Sequence, residues 1–227
     1  VTAFADDATF DRARTADPFA YILKPFNERE LHSAIELALH KHRSEKEIKK
    51  RDRILFAICF AIEWFLRHQK ESRKAKNGHP KTLESGIVEI LEHVGLAVNA
   101  GTVAVFRLNR ETEGNTTATI QYIWTAHGTP QVLSPIMGDL PLILSSSLCN
   151  TILATGSSFA GDTGKLPEEE RRFFEKCGIV SIAILPLFKD DILWGFMAIS
   201  SGSPHEWPDS EMEALNVAGS IVGAVVE

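Results

Sequence analysis

Gly178-Ile-Val-Ser-Ile-Ala-Ile-Leu-Pro-Leu187 and, after five intervening residues, Leu193-Trp-Gly-Phe-Met-Ala-Ile199 decide the fold of this 227-residue chain. Each is a short run of β-branched and large apolar residues, and Lys189-Asp190-Asp191 separates them as a turn. The pair predicts strands over Ile179–Phe188 and Ile192–Ser200 joined as a hairpin. Downstream, Trp207-Pro-Asp-Ser-Glu-Met-Glu-Ala-Leu215 opens a helix that turns Met212, Leu215, Ala218, Val222 and Val225 to one side. Upstream, Pro167 to Lys176 reads as a short helix, with Pro167 at its start and Gly178 just past its end.

Further upstream, Gly101–Leu108 and Thr117–Ala126 read as two strands around an Asn109–Asn115 turn, and Ser145–Thr155 reads as helical. Thr82–Val98 reads as an amphipathic helix, with Leu83, Ile87, Ile90, Leu91 and Val94 on one side. The order helix, two strands, helices, two strands, helix predicts an α+β domain: an antiparallel sheet flanked by helices.

Ahead of this domain, from Glu28 to about Lys76, the sequence holds neither proline nor glycine, and Asn77-Gly78-His79-Pro80 then ends the run. Such a helix would be about 75 Å long, more than one domain of this size can cover. Apolar residues at 48, 55, 58, 62 and 65 suggest a coiled-coil seam of about three heptads. Between Ile54 and Leu66 the helix is apolar nearly all round, which requires burial of more than one face. Asn27 is placed to cap it, with Glu30 completing a capping box. Before it, Phe19-Ala-Tyr-Ile-Leu23 reads as a buried strand stopped by Pro25. The expected division is therefore 1–42, a helical linker over 43–78, and a domain over 79–227.

Composition fits a cytoplasmic globular protein. Three cysteines, Cys59, Cys149 and Cys177, are too few for a secreted disulfide framework. Residues 27–81 hold 14 basic and 8 acidic side chains, whereas residues 82–227 hold 7 and 18. The interleaved charges of the middle segment read as a solvated helix rather than a nucleic-acid groove. No stretch approaches the roughly 20 apolar residues of a membrane span. The chain begins at Val1, and a fragment of a longer protein is expected.

Residues 79–227 resemble a GAF domain: Gly-x-x-Ser, an apolar run, Pro186-Leu187, a turn, Gly195 with its apolar run, then an aromatic before an acidic helix with small residues near its end. The resemblance implies helices packed on one sheet face and a ligand pocket on the other, under residues 127–165. Candidate pocket residues are Phe106, Trp124, His127, Cys149, Phe159, Asp162 and Met197. The sequence lacks the Asn-Lys and Asp-Glu pattern of cyclic-nucleotide-binding GAF domains, and Asn150 rather than His follows Cys149 where bilin-binding ones pair the two. No particular ligand or cofactor is implied.

Residues 1–42 resemble the closing third of a response-regulator receiver domain, through Val1-Thr-Ala3, Tyr21-Ile-Leu-Lys-Pro-Phe26 and the helix opening at Asn27. By that resemblance Thr2, Tyr21 and Lys24 match the switch hydroxyl, the switch aromatic and the phosphate-pairing lysine. The acidic pair and the phosphoacceptor aspartate of a receiver would lie before this segment. Together the resemblances suggest a sensory or regulatory module of a two-component system, working beside other signalling domains. It is expected to be non-enzymatic and to form homodimers through the linker and the terminal helix, where Gly219 and Gly223 permit close helix approach. The alternatives are a ligand-free dimerisation scaffold and a GAF-fold reductase using Cys149 and Cys177.

Overall fold

The computed structural model describes residues 27–72, 80–110, 116–129 and 154–226, together with Ile22, Pro25 and Ile152. Helix α1 spans Glu28–Ser72. Its first turn is closed as expected: the Glu30 backbone N–H donates to Asn27 Oδ1 (2.9 Å), and the Asn27 N–H donates to Glu30 Oε2 (3.3 Å). Helix α2 follows at Pro80–Val98, then strands β1 (Thr102–Arg110), β2 (Thr116–Thr125) and β3 (Phe159–Asp162). After a 3₁₀ turn over Thr163–Lys165 come helix α3 (Glu168–Lys176), β4 (Ser181–Lys189), β5 (Ile192–Ser201) and helix α4 (Asp209–Val225). The chain divides into two compact units, Val1–Asp52 and Arg53–Glu227.

In the second unit the five strands form one antiparallel sheet in the order β2-β1-β5-β4-β3. The β4–β5 connection is a two-residue hairpin, and Asp190 and Asp191 both take left-handed backbone (φ 49° and 61°). That is the turn whose twist matches paired strands, and aspartate tolerates it better than most residues do. Strand β3 has no counterpart in the sequence reading. Its Phe-Ala-Gly-Asp is too short and too small to show alternation, and it forms by pairing with β4. Pro167 caps α3 instead of occupying its first turn, while Gly178 ends that helix in left-handed geometry (φ 64°).

One face of the sheet carries the main core. Val103, Val105, Leu185, Leu187, Met197 and Ile199 meet Ile87, Ile90, Leu91 and Val94 of α2 and Leu215, Ala218 and Val222 of α4. Ile54, Ala57 and Ala61 of α1 join the same cluster. Close approach here depends on glycine: a Cβ at Gly86 would lie 2.0 Å from the Trp64 ring.

Two expectations need correction. Ile58 and Phe65, placed in the seam with Leu55 and Ile62, pack against the core, whereas Leu55 and Ile62 are exposed. Positions 55 and 58 are three residues apart, so about 60° of helix surface separates them, and that angle divides the two surroundings. Gly219 and Gly223 face the domain's own sheet. A Cβ at Gly219 would lie 3.5 Å from Leu187 Cδ2, and one at Gly223 would lie 2.8 Å from the Phe188 carbonyl oxygen. They serve helix-on-sheet packing, not a helix–helix contact. The expected hairpin loop at 111–115, most of the Ser145–Thr155 helix and the Phe19–Leu23 strand lie outside the described residues, apart from Ile22.

Candidate functional site

Strand alternation sends every second residue of this sheet to the face away from α2 and α4. Register assembles those residues into two rows. Ile123, Ala104, Ala198, Ile184 and Phe159 sit opposite one another across all five strands. The next row is Ile120, Phe106, Phe196 and Pro186. It is displaced on β2 by a bulge where the register shifts between Val105 and Phe106.

The Phe106 and Phe196 rings stack almost parallel, with centroids 4.7 Å apart and an interplanar angle of 13°. Beside that stack, Ala104 and Ala198 leave only methyl groups on two adjacent strands. Phe159 closes the far edge on Ile184, next to a second apolar cluster of Ile152, Cys177, Ile179 and Ile182 over which Phe173 and Phe174 of α3 pack. At the other end, the Thr102 and Ser200 side chains lie opposite each other and are buried. Ala104, Phe106 and Ala118 are buried in an apolar cluster, with Leu108, Ile120, Phe196 and Ala198 partly buried against it, so the face is a covered aromatic pair and two alanines with a hydroxyl-bearing end. Such a lining suits a planar, mostly apolar molecule with few polar atoms.

Of the candidate residues, Phe106 and Phe159 lie on this face. Trp124 and Met197 do not. Trp124 pairs with Val103 and Met197 with Val105, so both point toward the helices; Met197 is fully buried there. The Trp124 ring fills the space left by Gly95 of α2. Asp162 is exposed, and its carboxylate caps the 3₁₀ turn by accepting the Gly164 N–H (2.8 Å). His127 is exposed in the turn after β2. Cys149, and the receiver-type residues Thr2, Tyr21 and Lys24, lie outside the described residues. Phe196, Ala104 and Ala198 were missed. The signal was available in strand parity: Gly195, Met197 and Ile199 share one face, which leaves Phe196 and Ala198 on the other.

Burial pushes the Cys177 thiol above its ordinary value, which holds it protonated near neutral pH and makes it a poor nucleophile. Among the described residues no three His, Cys, Asp or Glu side chains converge to hold a metal ion. No helix among them is long and apolar enough to cross a membrane.

A second polar feature lies on the helix-side margin. The Trp207 indole N–H donates to Ser181 Oγ (2.8 Å), and Ser181 Oγ donates to the His205 carbonyl (3.2 Å). His205 Nε2 lies 3.1 Å from a carboxylate oxygen of buried Glu211. These contacts tie the residue 202–208 segment to β4 and to the start of α4, a structural fastening rather than a cavity lining.

Comparison with known proteins agrees with this architecture. The family model for the GAF domain matches residues 82–226. The chain is 32% identical over 183 residues to the methanogenesis regulatory histidine kinase FilI of Methanothrix harundinacea; the match covers 79% of this chain but 19% of that protein. Among solved structures, the phycocyanobilin-bound GAF domain of a cyanobacterial phytochrome superposes with a TM-score of 0.56 at 12% identity, covering 72% of this chain and 91% of that one. The chromophore-binding domain of an unusual bacteriophytochrome from R. palustris gives 0.57 at 10% identity, covering 76% and 60%. At these identities the structural likeness establishes the fold alone. With the family model spanning residues 82–226, well over half of its length, the chain belongs to the GAF domain family.

Proposed function

We propose that this chain is a sensory or regulatory module of a two-component signalling protein, and that its GAF domain takes a small planar ligand on the Phe106–Phe196 face. The observation that carries the reading is the parallel Phe106–Phe196 stack beside the Ala104–Ala198 pair. Large aliphatic side chains fill the centre of the helix-facing side, whereas the centre of this side pairs two stacked rings with two alanines, isoleucines lying on the flanking strands. The resemblance of part of a regulatory histidine kinase to this chain supports the signalling role. So does the receiver-like segment around Lys24.

The mechanism is mechanical and involves no catalysis by this chain. A ligand against Phe196 and Ala198 would press on β5, whose alternate residues Met197 and Ile199 pack in the helix-side core. Ile54, Ala57 and Ala61 of α1 share that core, so a shift there changes the packing of α1. A ligand only has to bind one packing arrangement more tightly to bias the equilibrium. On this reading the protein works in the cytoplasm, as a homodimer beside other two-component domains.

The test is native mass spectrometry of the isolated full chain, compared with the same sample after denaturation. An excess mass that denaturation releases supports ligand binding. A bare chain whose thermal midpoint moves with no planar aromatic compound in a screen would instead favour a ligand-free dimerisation scaffold, since any ligand selective for the native state raises that midpoint.

A further inference from the structure

Three rows of side chains cross the sheet on the side away from α2 and α4, and none of them holds an ionisable group. Two are the rows through Ala104–Ala198 and Phe106–Phe196. The third is Thr125, Thr102, Ser200, Ile182 and Gly161, set opposite one another across the five strands. Arg107 has the parity of Val103 and Val105 on the other side, and it is exposed. The lack of cations extends beyond the strands. Between Arg110 and Lys165 the chain has no lysine or arginine, but it has four acids, Glu111, Glu113, Asp139 and Asp162. Whatever residues 126–158 bring to this face, they bring neither basic residue. His127, the only histidine of that stretch, is exposed. Thr102 and Arg110 stand four residues to either side of Phe106, each roughly 13 Å away along β1. Arg110 is therefore at the end remote from the hydroxyls.

We propose that the ligand of this face is an uncharged fused-ring aromatic compound with an acceptor oxygen of the ketone or quinone type, and that the face rejects carboxylates and phosphates. The inference rests on the ligand reading above and adds to it the charge and polarity of the ligand. A buried anion must exchange its water for a cation or for several donors, and these rows offer no cation. The acids of the same stretch add a potential that repels it further. Donors stand at one end. The Thr102 and Ser200 side chains are buried opposite each other, and among the described residues neither hydroxyl has a hydrogen-bond partner. A hydroxyl donates one proton, which satisfies a carbonyl oxygen but leaves a full negative charge uncompensated. The stacked Phe106 and Phe196 rings favour an aromatic plane at the other end. Between the two ends Ala104 and Ala198 carry nothing beyond a methyl group, so a body of two or three fused rings spans the distance.

Equilibrium dialysis of the full chain against three compounds of nearly one shape tests this. They are 2-acetylnaphthalene, 2-naphthamide and 2-naphthoate, the last an anion at neutral pH. The ketone and the amide should each bind at least tenfold more tightly than the carboxylate, a comparison that needs no variant. Thr102→Val combined with Ser200→Ala should weaken ketone binding at least threefold with an unchanged circular dichroism spectrum. Ala198→Leu should abolish it. Carboxylate bound as tightly as the amide, or more tightly, overturns the proposal and leaves the ligand face itself standing. Ketone binding indifferent to Ala198→Leu puts the compound elsewhere and also overturns it, as does a ketone affinity unmoved by the hydroxyl variant. Binding by none of the three overturns it too. A mass that denaturation releases from the purified chain then shows that the ligand reading survives without it.

Discussion

The indole ring of Trp124 lies in the slot that Gly95 leaves in α2: a Cβ on Gly95 would sit 2.1 Å from Trp124 Cζ3 and 2.6 Å from Cε3. This pairing fixes the outer strand β2 against the helical layer and removes Trp124 from the opposite face. Alanine gains about 1 kcal/mol over glycine in a helix interior. Overpacking a rigid ring costs about 1–3 kcal/mol. Gly95→Ala should therefore destabilise the domain despite the better helix propensity. Combining it with Trp124→Leu should cost less than the sum of the two single changes, as expected for residues in contact. Thermal or urea unfolding of the four proteins checks both statements.

Gly195 makes a harder constraint at the centre of the sheet. A Cβ there would lie 2.0 Å from the Phe106 carbonyl oxygen, a backbone atom that cannot swing aside. Gly195→Ala should cost more than about 3 kcal/mol, in the range reserved for disrupted cores. It should also separate the Phe106 and Phe196 rings, because it forces β1 away from β5. Urea denaturation gives the loss, and loss of the native spectrum would mark outright failure to fold.

Cys177 and Cys59 should differ sharply in reactivity. Cys59 is exposed and Cys177 buried, with its thiol pushed above the ordinary value by burial. In a Cys149→Ser background a thiol reagent should modify Cys59 at once and Cys177 only on unfolding. The raised value also sets a pH trend. Below the unfolded-state thiol value of about 8.5 both states are protonated and stability is unaffected. Above it the unfolded chain releases the proton and the folded one does not, so stability falls as pH rises. Cys177→Ala should flatten that alkaline decline in the urea midpoint.

The Asn27–Glu30 box is local, and its removal should read locally. Asn27→Ala should cost the first turn of α1 about 1 kcal/mol. Amide exchange of the first helical residues should accelerate by about fivefold to tenfold, while the unfolding midpoint of the sheet domain stays in place.

Much of this architecture is legible in the sequence because its elements carry their own boundaries. Asn27 and Glu30 announce a helix start, Gly178 a helix end, and the runs around Asp190 and Asp191 a hairpin. Strand β3 carries no such mark and exists through pairing to β4. Two site residues, Phe106 and Phe159, were legible as aromatics near strands. Met197 and Trp124 misled because composition does not reveal which face an apolar strand residue takes when both faces are apolar. Only register settles it, through Val105 opposite Met197 and Val103 opposite Trp124. The α1 row was misread for a related reason. A helix apolar nearly all round offers two overlapping stripes, and only packing on α2 shows which stripe is used internally.

The central claim is that the ligand surface is the face bearing Ala198, not the face bearing its neighbour Met197. Native mass spectra of Ala198→Leu and Met197→Leu measure this most directly, with circular dichroism to confirm that both variants fold. The account predicts that Ala198→Leu, which enlarges one of the alanine pair, loses the bound mass seen on the unsubstituted chain, while Met197→Leu retains it. Bound mass surviving in Ala198→Leu, lost from Met197→Leu alone, or absent from the unsubstituted chain would contradict it.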